Sequence, residues 1–318
     1  LLAAQAAHLA GDKNAARRYF AQLSKHKDTA YYGLIGIMNL QFQNNDPQKS
    51  RAAAQKALQI QPDSVVALTH IFWREVEEKN WHNAVNILGR LIPHLANLPE
   101  QKHLFQRREI GLCYLLAREV SEVRDKTNWL ERALKLDQSH IAVRVALARL
   151  YQKSESTKQM IKIIERGFIL KPHHDYIDLL RDAFSDNIGK FIARLTKLAR
   201  QSEQKIDANR LVIAASLDAD ILPPATSLLS EIPQDQMTNE DYLLAAELAE
   251  KQIDPVGAKT ALQDAARAPR GKAWRCSTCS TLTAQYEPIC PKCHDVGMID
   301  WTDESRESIK PISKLKLS

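Results

Sequence analysis

The chain has 318 residues, of which 44% are hydrophobic and 26% are charged, with only 10 Gly and 13 Pro. This composition is typical of a folded protein and argues against long disordered stretches. The net charge of +6 is distributed among interspersed acidic and basic residues, so the sequence lacks the basic footprint of a nucleic-acid-binding protein. No run of about 18 apolar residues is present to form a membrane span.

The chain opens at Leu1 within an apolar helical stretch, residues 1–10, and without an initiator Met. We therefore expect that an N-terminal part has been removed, which leaves a membrane anchor or signal in that part open. Membrane contact is predicted only through that absent segment.

Residues 1–270 read almost entirely as short amphipathic helices, and a period of 34 residues runs through their first part. The turn signals at this interval are Gly11-Asp12, Asn45-Asp46 and Lys79-Asn80. The small residues at the same interval are Ala16, Ser50 and Ala84. Because short side chains let two helices approach closely, this spacing predicts repeated helix pairs. Pro62 and Pro172 are predicted to end their repeats.

The pattern resembles the tetratricopeptide repeat family, which implies an all-α superhelix, an α-solenoid, over residues 1–270. The segments that match are 1–28, 31–64, 65–98, 107–140, 141–174 and 238–270. The match is weakest over 175–237, where Pro223-Pro224 is expected to interrupt the pattern.

In this family the first helix of each pair lines a concave groove, which implies a protein or peptide partner. The first-helix positions expected to be exposed there are Tyr32, Asn39, Phe42, Thr69, Trp73, Arg108, Leu115, Arg118 and Arg149. Aromatic and arginine side chains are the usual anchors of interfaces, so Tyr32, Phe42, Trp73, Arg108, Arg118 and Arg149 are the predicted partner-binding residues, with Trp73 and Arg149 preferred.

The sequence contains no phosphate-binding glycine loop, no defensible Ser-His-Asp set and no His-Glu-x-x-His motif, so we expect a protein that is not an enzyme. His173 and His174 follow Pro172 in a predicted turn and are expected to be solvated. Cys113 occupies a position that packs inside a repeat, which predicts a buried, inert thiol.

The other four cysteines have the spacing Cys276-x2-Cys279-x10-Cys290-x2-Cys293. Each close pair can form a knuckle that directs two sulfurs at one ion, and two knuckles complete a tetrahedron. We therefore predict a metal-binding hairpin module over 274–301, with zinc favoured and iron as the alternative. Disulfides within each pair are expected only as oxidation products. Haem ligation by the Cys290-Pro291 dipeptide is a further alternative.

Trp274 and Trp301 bracket this module and are predicted to dock it on the last repeats. Knuckles of this type often place Gly after the second cysteine, where the backbone is left-handed, but here those positions are Ser280 and His294. His294 is therefore a competing candidate ligand. Residues 302–318 are expected to form a flexible tail.

The repeats and the ending "AARAPRGKAWRCSTCSTLTAQYEPICPKCHDVGMIDW" together resemble the alphaproteobacterial branch of the HemY family. This resemblance implies the soluble part of a membrane-anchored scaffold at the cytoplasmic face of the bacterial inner membrane, associated with haem biosynthesis. The alternative is a resemblance to the lipopolysaccharide assembly protein B family, which implies an adaptor that presents a client to a membrane protease.

Overall fold

The computed structural model describes residues 1–184 and 187–303, and these residues confirm the all-α repeat fold with a small β module at its C-terminal side. The helices are α1 (Leu2–Leu9), α2 (Lys13–Leu23), α3 (Ala30–Gln43), α4 (Pro47–Ile60), α5 (Val65–Glu77), α6 (Trp81–Leu91), α7 (Pro99–Glu119), α8 (Val123–Leu136), α9 (Ile141–Lys153), α10 (Thr157–Leu170), α11 (His174–Ala183), α12 (Ile188–Gln201), α13 (Lys205–Asp218), α14 (Leu222–Ser230), α15 (Asn239–Lys251) and α16 (Pro255–Ala265). Short 3-10 helices occur at Ile92–Leu95 and Gln234–Gln236. From residue 304 onward, the predicted tail lies outside the described residues.

The chain divides into two compact units, residues 1–112 and the part from Cys113 onward. In the first unit each helix from α1 to α5 packs against the helix that follows it. In the second unit the same neighbour-to-neighbour packing joins α8 to α9, α9 to α10, α10 to α11, and the helices from α11 to α16. Crossing a bilayer requires length and continuous hydrophobicity together, and none of the described helices has both.

Six helix pairs of the described residues are closed by one recurring turn, namely α1 with α2, α3 with α4, α5 with α6, α9 with α10, α13 with α14 and α15 with α16. Its first residue is left-handed in every case: Gly11, Asn45, Lys79, Glu155, Asp220 and Ile253, with φ between 55° and 80°. The next residue donates its backbone N–H to a carbonyl five residues earlier, as Asp46 does to Gln41 at 2.9 Å. That same Asp46 then caps α4, since its carboxylate accepts the Lys49 N–H at 3.1 Å. The end of one helix and the start of the next therefore share two adjacent residues.

The residue five positions after each left-handed residue is buried against the preceding helix. These residues are Ala16, Ser50, Ala84, Met160, Ala225 and Ala258. Asp220 and Ala225 extend the pattern into 175–237, where the sequence match is weakest. The expected interruption at Pro223-Pro224 is wrong, because the two prolines lie in the first turn of α14. That turn has no intrahelical acceptor for its N–H groups, so proline is tolerated there.

Helices α2 and α3 pack closely at two glycines of α3. A Cβ atom on Gly33 would lie 2.4 Å from the backbone nitrogen of Ser24, and one on Gly36 would lie 2.1 Å from the Phe20 ring. Phe20 is only 6% exposed and belongs to the core of the first pairs. Glycine is thus required at this contact by space and not by backbone conformation.

The predicted hairpin is present and is extended by a third strand. The strands are β1 (Ala273–Cys276), β2 (Leu282–Thr283) and β3 (Ile299–Thr302), in the order β2-β1-β3 and antiparallel. The register pairs Trp274 with Trp301 across β1 and β3. Both tryptophans therefore lie on the same face of the sheet.

We expect Gly36→Ala to lower the free energy of unfolding by about 1–3 kcal/mol, because the added methyl group overlaps the Phe20 ring. Chemical denaturation followed by circular dichroism measures the change. Gly89→Ala in α6 is the matched control, since nothing lies within 4 Å of a Cβ atom there. The control should be neutral or stabilising by up to about 1 kcal/mol. Equal effects of the two substitutions would contradict the packing explanation.

Candidate metal centre and its docking surface

Each Cys-x-x-Cys pair is folded into a tight turn. Ser280 donates its N–H to the carbonyl of Cys276 at 2.8 Å, and His294 donates its N–H to the carbonyl of Cys290 at 3.0 Å. Both donors are left-handed, with φ of 59°. The conformation that the sequence pattern requires after the second cysteine is therefore adopted by Ser280 and His294, although a side chain makes it about 1–2 kcal/mol less favourable than for Gly.

The two knuckles bring four sulfurs together. Cys276 Sγ lies 3.7 Å from Cys293 Sγ, and Cys279 Sγ lies 3.5 Å from Cys290 Sγ. All four sulfurs lie within 4.8 Å of one another, and among the described residues His294 is not part of this group. A tetrahedral ion with metal–sulfur bonds of about 2.3 Å places its sulfurs roughly 3.8 Å apart, whereas a disulfide bond is about 2.05 Å long. The four thiols therefore have the spacing of metal ligands and could hold one ion.

The thiols differ in their proton affinity. Burial raises the pKa of Cys276 to about 11, and burial also raises the pKa of Cys293. Burial acts in the same direction on Cys279, but hydrogen bonds from the Thr281 hydroxyl and N–H, together with those from Cys293 and Cys290, outweigh it and lower the pKa of Cys279 to about 6. A bound ion must displace the remaining thiol protons, so metal affinity should fall with falling pH.

The module packs against α11 through an aromatic cluster around His173. The His173 ring centroid lies 4.6 Å from that of Trp301 and 5.3 Å from that of Trp274. The two indole rings lie 5.5 Å apart, and Trp274 is only 5% exposed. These rings supply a large buried apolar contact to a module that has few core residues of its own.

The expected solvation of His173 is wrong, because its side chain is fully buried in this cluster. Its Nδ1 accepts the backbone N–H of Asp175 at 3.2 Å and so caps α11. The pKa of His173 is lowered to about 3, mainly by burial, and the neighbouring His174 and Lys171 act in the same direction. His174, by contrast, is exposed as expected. The tryptophans that bury His173 lie about 100 residues later in the chain, so the sequence around His173 could not predict its burial.

Potential metal-ligand atoms of His173, His174 and Asp175 also lie within 4.8 Å of one another. They do not form a convincing metal site, because Nδ1 of His173 is engaged in the helix cap and Nε2 is buried beneath the tryptophans. The neutral imidazole is better explained as part of the docking contact.

The connection between the two knuckles makes a second contact with the helices. The Tyr286 ring centroid lies 5.3 Å from Tyr114 of α7 and 4.9 Å from His140, which caps α9. Tyr286 also lies 5.6 Å from Trp274, which links this contact to the His173 cluster. The loop that carries the metal ligands thus also carries a docking residue.

Ion pairs fix the edges of the module. Lys171 Nζ lies 2.6 Å from Oδ1 of Asp300, which is a residue of β3. Lys272 Nζ lies 2.6 Å from Oδ2 of Asp207 in α13. The side chain of Lys272 is 19% exposed, so this pair is shielded from solvent more than most surface pairs. The linker before β1 is therefore attached to the helices and is not free.

The predicted groove residues are distributed over both units. Tyr32 and Phe42 are exposed, whereas Asn39 and Leu115 are half-buried. The guanidinium of Arg108 lies 4.8 Å from the Trp73 ring, which is a cation–π pair within the first unit. Thr69 is a correction, since packing within its helix pair leaves it only 7% exposed.

The preferred pair of Trp73 and Arg149 is split between the two compact units. Arg118 and Arg149 are exposed in the second unit. Burial raises the pKa of Tyr114, and the positive charges of Arg118 and Arg149 act against this shift. Among the predicted groove residues, the structure thus brings Arg108 against Trp73.

Comparison with known proteins gives distant similarities. No protein-family model matches the chain. Superkiller protein 3 of Saccharomyces cerevisiae is 22% identical over 150 residues, which cover 47% of this chain and 10% of that protein. The crystal structure of the yeast Tom70 matches over 83% of this chain and 67% of its own, with 12% identity and a TM-score of 0.30. The chain therefore spans about a tenth of the length of the curated relative.

We expect the His173 contact to weaken in acid. Between pH 6.5 and about 3 the unfolded chain binds a proton at His173 that the folded chain does not, so this group's contribution is complete above pH 6.5. It should fall by about 1.4 kcal/mol per pH unit below that value. Urea unfolding followed by tryptophan fluorescence should show a smaller loss of stability with acid in His173→Asn than in the unsubstituted protein. The exposed control, His174→Asn, should retain the original slope, and an unchanged slope in His173→Asn would contradict the assignment.

Proposed function

We propose that the protein is a non-enzymatic scaffold that binds a protein or peptide partner through its helical repeats and carries a structural zinc module. The observation that supports this most directly is the group of four sulfurs at tetrahedral spacing, in a module held against the repeats by buried aromatic rings. Four protein ligands leave no coordination position for a substrate, which is typical of structural sites and not of catalytic ones.

Zinc is proposed over iron because a closed tetrathiolate site suits both ions and zinc is the commoner structural ion. The module's strands are two to four residues long, so its own core is small. The ion would hold the two knuckles in the arrangement that presents Tyr286 and the two tryptophans to the helices, and its binding energy would contribute to folding of the module.

The proposed partner surface is formed by the aromatic and arginine side chains of the first helices. Arg108 over Trp73 and Arg74 over Phe42, at 5.4 Å, each combine an apolar face with a positive charge. Such side chains dominate the binding energy of many interfaces. Their partner is a protein segment, and no nucleic acid is expected.

The cellular setting is proposed from the HemY-like ending of the chain. It is an association with haem biosynthesis at the cytoplasmic face of the bacterial inner membrane, with the protein acting as a scaffold. The ending that carries this resemblance packs on the helices through Trp274 and Trp301, which supports a scaffold of which the module is a part.

We expect protein expressed without added iron to be colourless and to contain one zinc ion per chain by elemental analysis. Cys276→Ser should lose most of the zinc, because a buried ligand is removed, whereas Cys113→Ser should retain it, because Cys113 is buried in α7 outside the module. A red protein with thiolate-to-iron absorption would contradict the zinc assignment.

We expect cross-linking and affinity purification of the full chain from its source cells to recover enzymes of haem biosynthesis. Trp73→Ala combined with Arg108→Ala should reduce that recovery by about tenfold or more, as for loss of an interface hot spot. Lys56→Ala, at an exposed residue of α4, is the control and should recover the partner normally. Recovery of a membrane protease with its client would instead support the adaptor function.

A further inference from the structure

The four sulfurs of the module alternate in exposure along the chain. Cys276 and Cys290, the first of each knuckle, are 0% exposed. Cys279 and Cys293, the second of each knuckle, are partly exposed. Solvent therefore reaches one sulfur of each knuckle, while the other is enclosed.

Each partly exposed sulfur lies beside a buried sulfur of the opposite knuckle. The two pairs are Cys279 with Cys290, at 3.5 Å, and Cys293 with Cys276, at 3.7 Å. Small shifts would bring either pair to the length of a disulfide bond, of about 2.05 Å. The arrangement provides an attacking thiolate at the surface and a resolving thiolate directly behind it.

We propose that this cysteine cluster is an oxidation site for hydroperoxides, at which disulfides form between the knuckles, the metal ion leaves and the module detaches from the helices. This inference depends on the proposed zinc module, and it adds a regulated state to it. The substrate class is a small peroxide that can reach Cys279 and Cys293 from solvent.

The reaction balances with hydrogen peroxide as the oxidant. The Cys279 thiolate attacks one peroxide oxygen, the O–O bond breaks, the sulfur becomes a sulfenic acid, and the departing hydroxide is neutralised by a proton from the buffered solvent. The Cys290 thiolate then attacks that sulfur, the S–O bond breaks, and a second hydroxide leaves. Two thiolates are oxidised by two electrons to one disulfide, and one peroxide is reduced to two waters with two protons from solvent. The same steps with a second molecule of hydrogen peroxide join Cys293 to Cys276.

Loss of thiolate ligands removes the ion, because a disulfide sulfur is no longer an anionic ligand. The loop between Cys279 and Cys290 carries Tyr286, which packs on Tyr114 and His140. Oxidation would therefore displace this residue and loosen the indole rings from His173. The aromatic surface of α7, α9 and α11 that the module covers would become available to a partner.

Thr281 offers a way to test which sulfur reacts. Its Oγ1 lies 3.2 Å from Cys279 Sγ, and its hydroxyl donates to that sulfur when the sulfur is a thiolate. In the metal-bound cluster all four sulfurs are thiolates, so this hydrogen bond lowers the nucleophilicity of Cys279 without changing its charge. Ser277, whose hydroxyl donates to the Met298 carbonyl at 3.1 Å, is the neighbouring control.

The test uses the zinc-loaded full chain treated with hydrogen peroxide. We expect release of one zinc per chain into a chromogenic chelator, a red shift of tryptophan fluorescence, and recovery of both signals after dithiothreitol and zinc. Peptide mapping should find Cys279 joined to Cys290 and Cys276 joined to Cys293. Cys113→Ser should behave like the unsubstituted protein, since that thiol lies outside the cluster.

Thr281→Val should release zinc about two- to fivefold faster, whereas Ser277→Ala should keep the original rate. Retention of zinc under peroxide, disulfides within each Cys-x-x-Cys pair, release without a fluorescence change, or equal rates in the two variants would each overturn the proposal. A preparation that never contains zinc would instead overturn the proposed function.

Discussion

One backbone constraint, a left-handed residue that closes a tight turn, recurs in both parts of the protein. In the helical part it lies at residues such as Asn45 and Asp220, and the residue after it caps the next helix. In the metal module it lies at Ser280 and His294, directly after each second cysteine. In both places the turn returns the chain on itself within a few residues, so that helix pairs stack and sulfurs converge. Changing this conformation would separate the elements that make the fold and the candidate site.

The candidate metal centre and the docking contact are coupled by chain connectivity. The strand that carries Trp274 ends at Cys276, and the loop that carries Tyr286 leads into Cys290. Any force that holds the sulfurs together therefore also positions the aromatic rings against His173, Tyr114 and His140. A module with so little core of its own gains stability from both the ion and the helices.

Local sequence signals predicted several parts of this structure well. The period of 34 located the turns at Gly11, Asn45 and Lys79, and spacing alone selected the four cysteines that converge. The same signals failed where the effect of a residue depends on its position within a helix. Pro223-Pro224 was expected to interrupt the pattern, but the two prolines lie in the first turn of α14, where they are tolerated. The signals also failed for Thr69, because helical periodicity separates two faces only coarsely and a residue near their border is easily misplaced.

The sequence by itself determined the helix pairs, their turns and the donor set of the metal module, because each depends on residues that are close together in the chain. Only the tertiary structure decided where that module lies and what it touches. His173 became a buried, neutral docking residue through tryptophans about 100 residues away, and Tyr286 came to lie against Tyr114 and His140. Such contacts depend on how whole helices and strands pack against one another. A short sequence pattern does not predict them, because the residues in contact are far apart in the chain.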